Sequence, residues 1–120
     1  KIELTLPNTK LSKRGSNSLI ESKAENILFL DVRSISSFTD EIIIATANSN
    51  RHATSVSEKL VSYLKKNNIN IIGIEGEADS GWMLVDCGDV VINIMKQEQR
   101  DFYDLEGLWQ NMTPIEESNQ

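Results

Sequence analysis

Asp86 and Asp89 flank Cys87-Gly88 within the stretch Trp82-Met83-Leu84-Val85-Asp86-Cys87-Gly88-Asp89-Val90. Two carboxylates at that spacing could hold a divalent cation for nucleotidyl or phosphoryl transfer. A tight turn selects the same residues, because an aspartate oxygen accepts from backbone amides close by. No third acidic ligand stands at a suitable spacing, and no Gly-Ser phosphate loop precedes the pair. The turn reading therefore outweighs the metal reading. His52, the single histidine, follows Arg51 after a run of Asn and Ser. A helix N-terminus with Arg51 and Ser49 would suit an anion, and a histidine can activate a Ser or Cys nucleophile. The serines nearby sit in cap and helix contexts, however, and Cys87 lies far along the chain. The favoured role for His52 is a structural or interface hydrogen bond beside a capped helix. Gly73, Gly76 and Gly81 fit neither a dinucleotide fingerprint nor a P-loop. Arg100, among Glu98, Asp101 and Asp104, most simply makes an ion pair.

The chain of 120 residues suits one compact domain. Its apolar share of 39% and charged share of 25% are those of an ordinary globular protein. The longest apolar runs are strand-sized, short of the ~20 residues of a membrane span. No cationic stretch leads into an apolar one, as a secretory leader would require. A lone Cys87 makes an intramolecular disulfide and a cysteine zinc cluster impossible and fits a reducing compartment. The net charge is −6 and the pI is near 4.7. That balance argues against holding nucleic acid through its phosphates. It favours association with a basic protein, weakened by salt.

The elements that must position these residues follow from hydrophobic patterning. Residues 1–17 read as a flexible arm, 18–110 as the folded domain and 111–120 as a disordered tail. Residues 18–25 suit a short helix with Leu19, Ile20 and Ala24 on one side. Ile27 to Leu30 and Ile42 to Ala45 are apolar on both faces, which predicts two buried strands. Residues 46–50 offer N-caps, and Ala53, Val56, Leu60 and Leu64 then recur on one helical face. Ile69, Ile71, Ile72 and Ile74 predict a third strand closed by Gly76, paired in parallel with the strand before the helix. Residues 82–86 and 89–95 predict a hairpin turning at Cys87-Gly88. Phe102, Leu105, Leu108 and Trp109 predict one short helix packed on the sheet through these core side chains. The fold class is α/β: a mixed sheet of about five strands with flanking helices.

A two-residue turn at Cys87-Gly88 sets Asp86 opposite Asp89, Leu84 opposite Val91 and Trp82 opposite Asn93. One face of the hairpin then carries Met83, Val85, Val90, Ile92 and Ile94 and must be core. The other carries Trp82, Leu84, Asp86, Asp89, Val91 and Asn93. That mixed face is either covered by a helix or presents an aromatic anchor to a partner.

The ordered motifs resemble one known family. They are Asp31-Val32, Thr39-Asp40, Ser49-Asn50-Arg51-His52, Glu75-Gly76, Gly81-Trp82, Asp86-Cys87-Gly88-Asp89-Val90-Val91, and Arg100 to Glu106 with Leu108-Trp109. Over about residues 24–110 the chain resembles the ribosomal silencing factor family, also called Iojap-like. The resemblance implies a nucleotidyltransferase-like sheet without working catalytic residues and without a cofactor or metal. It implies a repressor that docks on large-subunit ribosomal protein fourteen and sterically blocks joining of the subunits. It also implies a homodimer when free, little direct nucleic-acid binding, no membrane, and a bacterial cytoplasmic or organellar setting. Trp82 matches the family's hairpin tryptophan on the surface that meets the ribosomal protein. Leu84, Asp86, Asp89 and Val91 share or border its face. Arg51 and His52 match the family's Arg-His pair, with an interface or structural role. Cys87 and Asn93 depart from the family pattern, which more often has an aromatic or aliphatic residue and a histidine there.

Overall fold

The computed structural model describes residues 3–4, 17–33, 36–37 and 39–110. The expected arm over 1–17 lies almost wholly outside these residues, as does the tail over 111–120. The described residues form a six-stranded mixed sheet. Its strands are β1 (Glu3–Leu4), β2 (Glu25–Asp31), β3 (Glu41–Ala47), β4 (Gly73–Glu77), β5 (Trp82–Asp86) and β6 (Val90–Lys96). They lie in the order β1-β2-β3-β6-β5-β4. The five longer strands are those expected, and the two-residue β1 adds the sixth. Helix α1 (Asn50–Lys66) joins β3 to β4, and α2 (Gln97–Tyr103) and α3 (Leu105–Gln110) follow β6.

β3 occupies the centre because it is apolar on both faces, and all seven of its residues are buried. Its parallel neighbour is β6, not β4. β4 does run in the same direction as β3, but β6 and β5 separate them and β4 pairs antiparallel with β5. The crossover rule gave the direction correctly and the adjacency wrongly. The late hairpin inserts β6 where β4 was expected, because β6 is the more apolar strand. β4 also begins at Gly73 rather than Ile69. Ile69 and Ile71 instead pack against the core ahead of it.

Helix α1 forms as its pattern requires. The Ser49 side chain caps it by accepting from the His52 amide at 3.0 Å. Ala53, Val56, Leu60 and Leu64 are fully buried. They pack on Ile43, Val85, Ile92 and Ile94 to form the main core on one face of the sheet. Lys65 and Lys66 stand at the negative end of the helix dipole. The expected helix over 18–25 is a single turn over residues 17–21. It buries Leu19 but leaves Ile20 exposed. A smaller core of Leu30, Val32, Ile42, Ile44 and Met95 fills the middle of the opposite face.

Arg100 is buried and turned into the protein. Its Nη1 donates to the Asn26 carbonyl at 2.6 Å and to the Thr46 hydroxyl at 2.7 Å. The guanidinium thus joins α2 to β2 and β3, a role the neighbouring acids in sequence did not suggest. Those bonds reach residues distant in sequence.

Candidate functional site: a groove around Trp82

The hairpin register differs from the expected one by two residues. Trp82 lies opposite Met95, Leu84 opposite Asn93 and Asp86 opposite Val91. The Cys87 amide donates to the Val90 carbonyl at 2.9 Å, so the two-residue turn is Gly88-Asp89. Gly88 has φ of +83°, a conformation glycine adopts without strain. A slip of two residues keeps the side chains that remain in β5 and β6 on their expected faces, since strand side chains alternate with period two.

One expected site residue leaves the face. Asp89 is exposed in the turn. Its carbonyl accepts from the Asp40 amide at 2.9 Å, the Glu41 amide at 3.0 Å and the Thr39 hydroxyl at 3.1 Å. Asp86 and Asp89 are therefore not a facing pair. The Asp86 carboxylate accepts from the Gly88 amide at 2.8 Å, the turn role weighed above against metal binding. Among the described residues no three His, Cys, Asp or Glu side chains converge on one point.

Trp82 is half-buried at the margin of the smaller core. Its indole N–H donates to the Asn93 side-chain Oδ1 at 2.9 Å, across a diagonal of the β5–β6 ladder. Asn93 is buried. The Trp82 and Tyr103 rings lie 4.9 Å apart and tilted by 48°. Tyr103 in turn meets Phe102 edge-on at 5.0 Å. Trp82 and Leu84 form a ridge between two hollows. One, of about 550 Å³, is lined by residues including Ile42, Ile72, Asp86, Val91, Leu105 and Leu108. The other, of about 330 Å³, is lined by Glu75, Gly76, Ser80 and Tyr103. The result is an apolar groove with Asp86 and Glu75 at its margins.

Gly81 enables the approach to Trp82. It has φ of +76°, and a Cβ there would run into the Gln99 carboxamide. The Lys96 amide donates to the Gly81 carbonyl at 2.8 Å. The start of β5 is thereby tied to the start of α2.

The expected helix over the last segment is two helices. Asp104 breaks it with φ of +45° and accepts from the Gly107 amide at 3.2 Å. An aspartate inside a helical pattern is a good N-cap, which is the sequence signal for this break. The break changes which side chains are buried. Leu105 packs on the smaller core, but Leu108 is exposed and lines the groove, and Phe102 is 80% exposed. Neither is the core residue the spacing suggested. The side chain of Trp109 lies outside the described residues. Tyr103, Ile72 and Glu75 are groove residues that the sequence named in its motifs and strands but did not place at the site.

Arg51 and His52 stand at the start of α1, on the other face of the sheet from Trp82. His52 makes the structural bonds favoured for it. Nδ1 accepts from the Asn48 amide at 3.0 Å, which leaves Nε2 as the donor to the Ser22 carbonyl at 2.8 Å. The imidazole fastens the 17–21 turn to the helix start. Arg51 is exposed beside Thr54, Ser55 and Glu58. Cys87 is half-buried beside Asp86, and burial first, then that carboxylate, pushes its thiol up to about 11.

This architecture is a mixed α/β sheet with an aromatic ridge on one face and no converging set of metal-ligating side chains among the described residues. The family model for the ribosomal silencing factor during starvation matches residues 9–120, and the chain belongs to that family. A ribosomal silencing factor of Chromobacterium violaceum is 35% identical over 105 residues, 88% of this chain and 86% of the relative. The chloroplastic protein Iojap of Zea mays is 38% identical over 96 residues, 80% of this chain and 42% of that longer protein. An X-ray structure of a Chromobacterium violaceum protein superposes with a TM-score of 0.81 at 35% identity, covering 88% of each chain. Membership of this family makes the chain a ribosome-associated regulator of translation.

Proposed function

We propose that the chain docks on large-subunit ribosomal protein fourteen through the Trp82 face and so keeps the small subunit from joining. The observation that carries this reading is the placement of Trp82. Its ring is half-exposed on a ridge between two hollows, with Leu84 beside it and Asp86 and Glu75 around it. A fixed aromatic among aliphatic side chains, rimmed by acids, has the make-up of a binding hot spot for a basic protein. Trp82, Leu84, Asp86 and Val91 form the docking surface, and Tyr103 supports the tryptophan from behind. Asn93 orients the indole, whereas Asp89 shapes the turn through its carbonyl. The mechanism is steric occlusion, with no bond made or broken and no cofactor used. The net charge of −6 draws the chain towards a basic surface and aligns it on approach. Off the ribosome, in a bacterial cytoplasm or an organelle, the chain is a homodimer.

Co-sedimentation tests the proposal. The chain is mixed with isolated large subunits, small subunits are added, and the particles are separated on a gradient. The chain should travel with the large subunit and deplete joined ribosomes. Joined ribosomes forming at their normal yield, with the chain saturating the large subunit, would refute occlusion.

A further inference from the structure

The sheet ends at β4, which pairs with β5 on one side and with no strand on the other among the described residues. Four of its five residues are exposed, and a Cβ at Gly73 would meet open space. Proteins usually blunt or cover such an edge, because its free amides and carbonyls invite another strand. Here two isoleucines stand on or beside it, Ile72 at 64% and Ile74 at 48% exposure. Ile74 borders a hollow of about 440 Å³ between α1 and the sheet, with Val61, Ser57 and Met83. Ile72 and Glu75 line the groove on the other face. A strand laid along β4 would send alternate side chains into these two hollows.

Charge selects the occupant. Glu75 and Glu77 lie on β4, Asp79 follows directly, and all three are exposed. Pairing two copies edge to edge would set these acids against one another, and like charges across a ladder are destabilising. A strand carrying lysine or arginine at alternate positions gains from the same acids. We infer that the β4 edge accepts, by strand addition, an extended basic segment of another protein. Its cations lie towards Glu75 and Glu77, and its aliphatic side chains lie towards Ile74, Val61 and Met83.

The test uses the full chain, isotopically labelled, and a short peptide of alternating lysine and valine as the probe. Amide resonances of residues 72–77 should shift and exchange more slowly with solvent as peptide is added. The double variant Glu75→Lys/Glu77→Lys should bind this peptide about tenfold more weakly. It should instead take up a peptide of alternating glutamate and valine. Both glutamates are exposed, so the variant should fold, as its circular dichroism will report. A probe with alternate amides methylated should not bind, because it cannot pair. The inference is overturned by shifts centred elsewhere, by equal binding of the methylated probe, or by equal binding to the charge-reversed variant. It is also overturned if β4 amides are protected without peptide in a species with the mass of two copies. No ribosomal subunit takes part, so failure here is distinct from failure of the Trp82 docking reading.

Discussion

The indole of Trp82 and the carboxamide of Asn93 are joined by a 2.9 Å hydrogen bond running diagonally between neighbouring strands. The donor belongs to a half-exposed ring and the acceptor to a buried side chain. The bond therefore fixes a surface anchor from below, so that less side-chain freedom is lost when a partner covers it. Removing the acceptor should leave the indole N–H poorly paired. Asn93→Ala should lower stability by about 1–3 kcal/mol in urea denaturation. Trp82→Phe in the same background should recover part of that loss, since it deletes the stranded donor. Additivity of the two changes would show that the pair is not coupled.

Trp82→Ala should remain folded, because the ring sits at the margin of the smaller core and the main core lies on the other face. Its affinity for large subunits should fall by on the order of 2 kcal/mol or more, as for a hot-spot aromatic. A pelleting titration reads this directly. Wild-type affinity in a folded variant would place the docking surface elsewhere.

Arg100→Met should be among the more damaging single changes away from the apolar core. It leaves the Asn26 carbonyl and the Thr46 hydroxyl without the charged donor that now joins three elements. A loss of about 2–4 kcal/mol is expected from removing charge-assisted buried bonds. Thr46→Val, which removes one acceptor, should cost less. Chemical denaturation of both variants gives the comparison.

Glu41 opens β3 and is buried, yet neither carboxylate oxygen has a hydrogen-bond partner among the described residues. A carboxylate out of water without a partner is a liability that an apolar side chain of similar length does not carry. Glu41→Met should therefore raise stability by about 1–3 kcal/mol in urea. A fall of the same size would mean that the carboxylate has a bonding role.

Cys87 gives a pH prediction. The folded thiol ionises near 11, above its ordinary value of 9.0, because burial and Asp86 both disfavour the thiolate. Between these two values the unfolded chain binds fewer protons at this site than the folded one. Stability should therefore decline as pH rises from about 9 to about 11, and Cys87→Ser should flatten that decline. Alkylation by iodoacetamide should be slow at pH 8 in the native state and fast in denaturant.

Patterns that one element fixes by itself were legible in the chain. The buried face of α1, its serine cap, the two-sided apolarity of β3 and the two faces of the hairpin all follow from spacing and residue type. Facts set by competition between distant segments were not. Whether β4 or β6 lies beside β3 depends on comparing the apolarity of two distant strands, which the local strand-helix-strand rule does not do. The hairpin register shifted by two because Asp89 and Gly88 make the turn and Cys87 does not. The face assignment survived because an even shift leaves parity intact. The groove was half legible: Trp82, Leu84, Asp86 and Val91 came from the alternation, while Leu108 and Tyr103 depended on the break at Asp104. The bonds of Arg100 to Asn26 and Thr46 were not legible, because only the fold brings those groups near.

The parallel pairing of β3 with β6 bears on how the molecule is made. These central strands touch along their whole length, yet α1, β4 and β5 all separate them in the chain. Bringing them together closes a long loop, which slows the search for the native topology. During synthesis, the strand that is buried throughout its length has one flank uncovered until Lys96 has left the exit tunnel. Until then the open edge of β3 is free to pair wrongly with another strand.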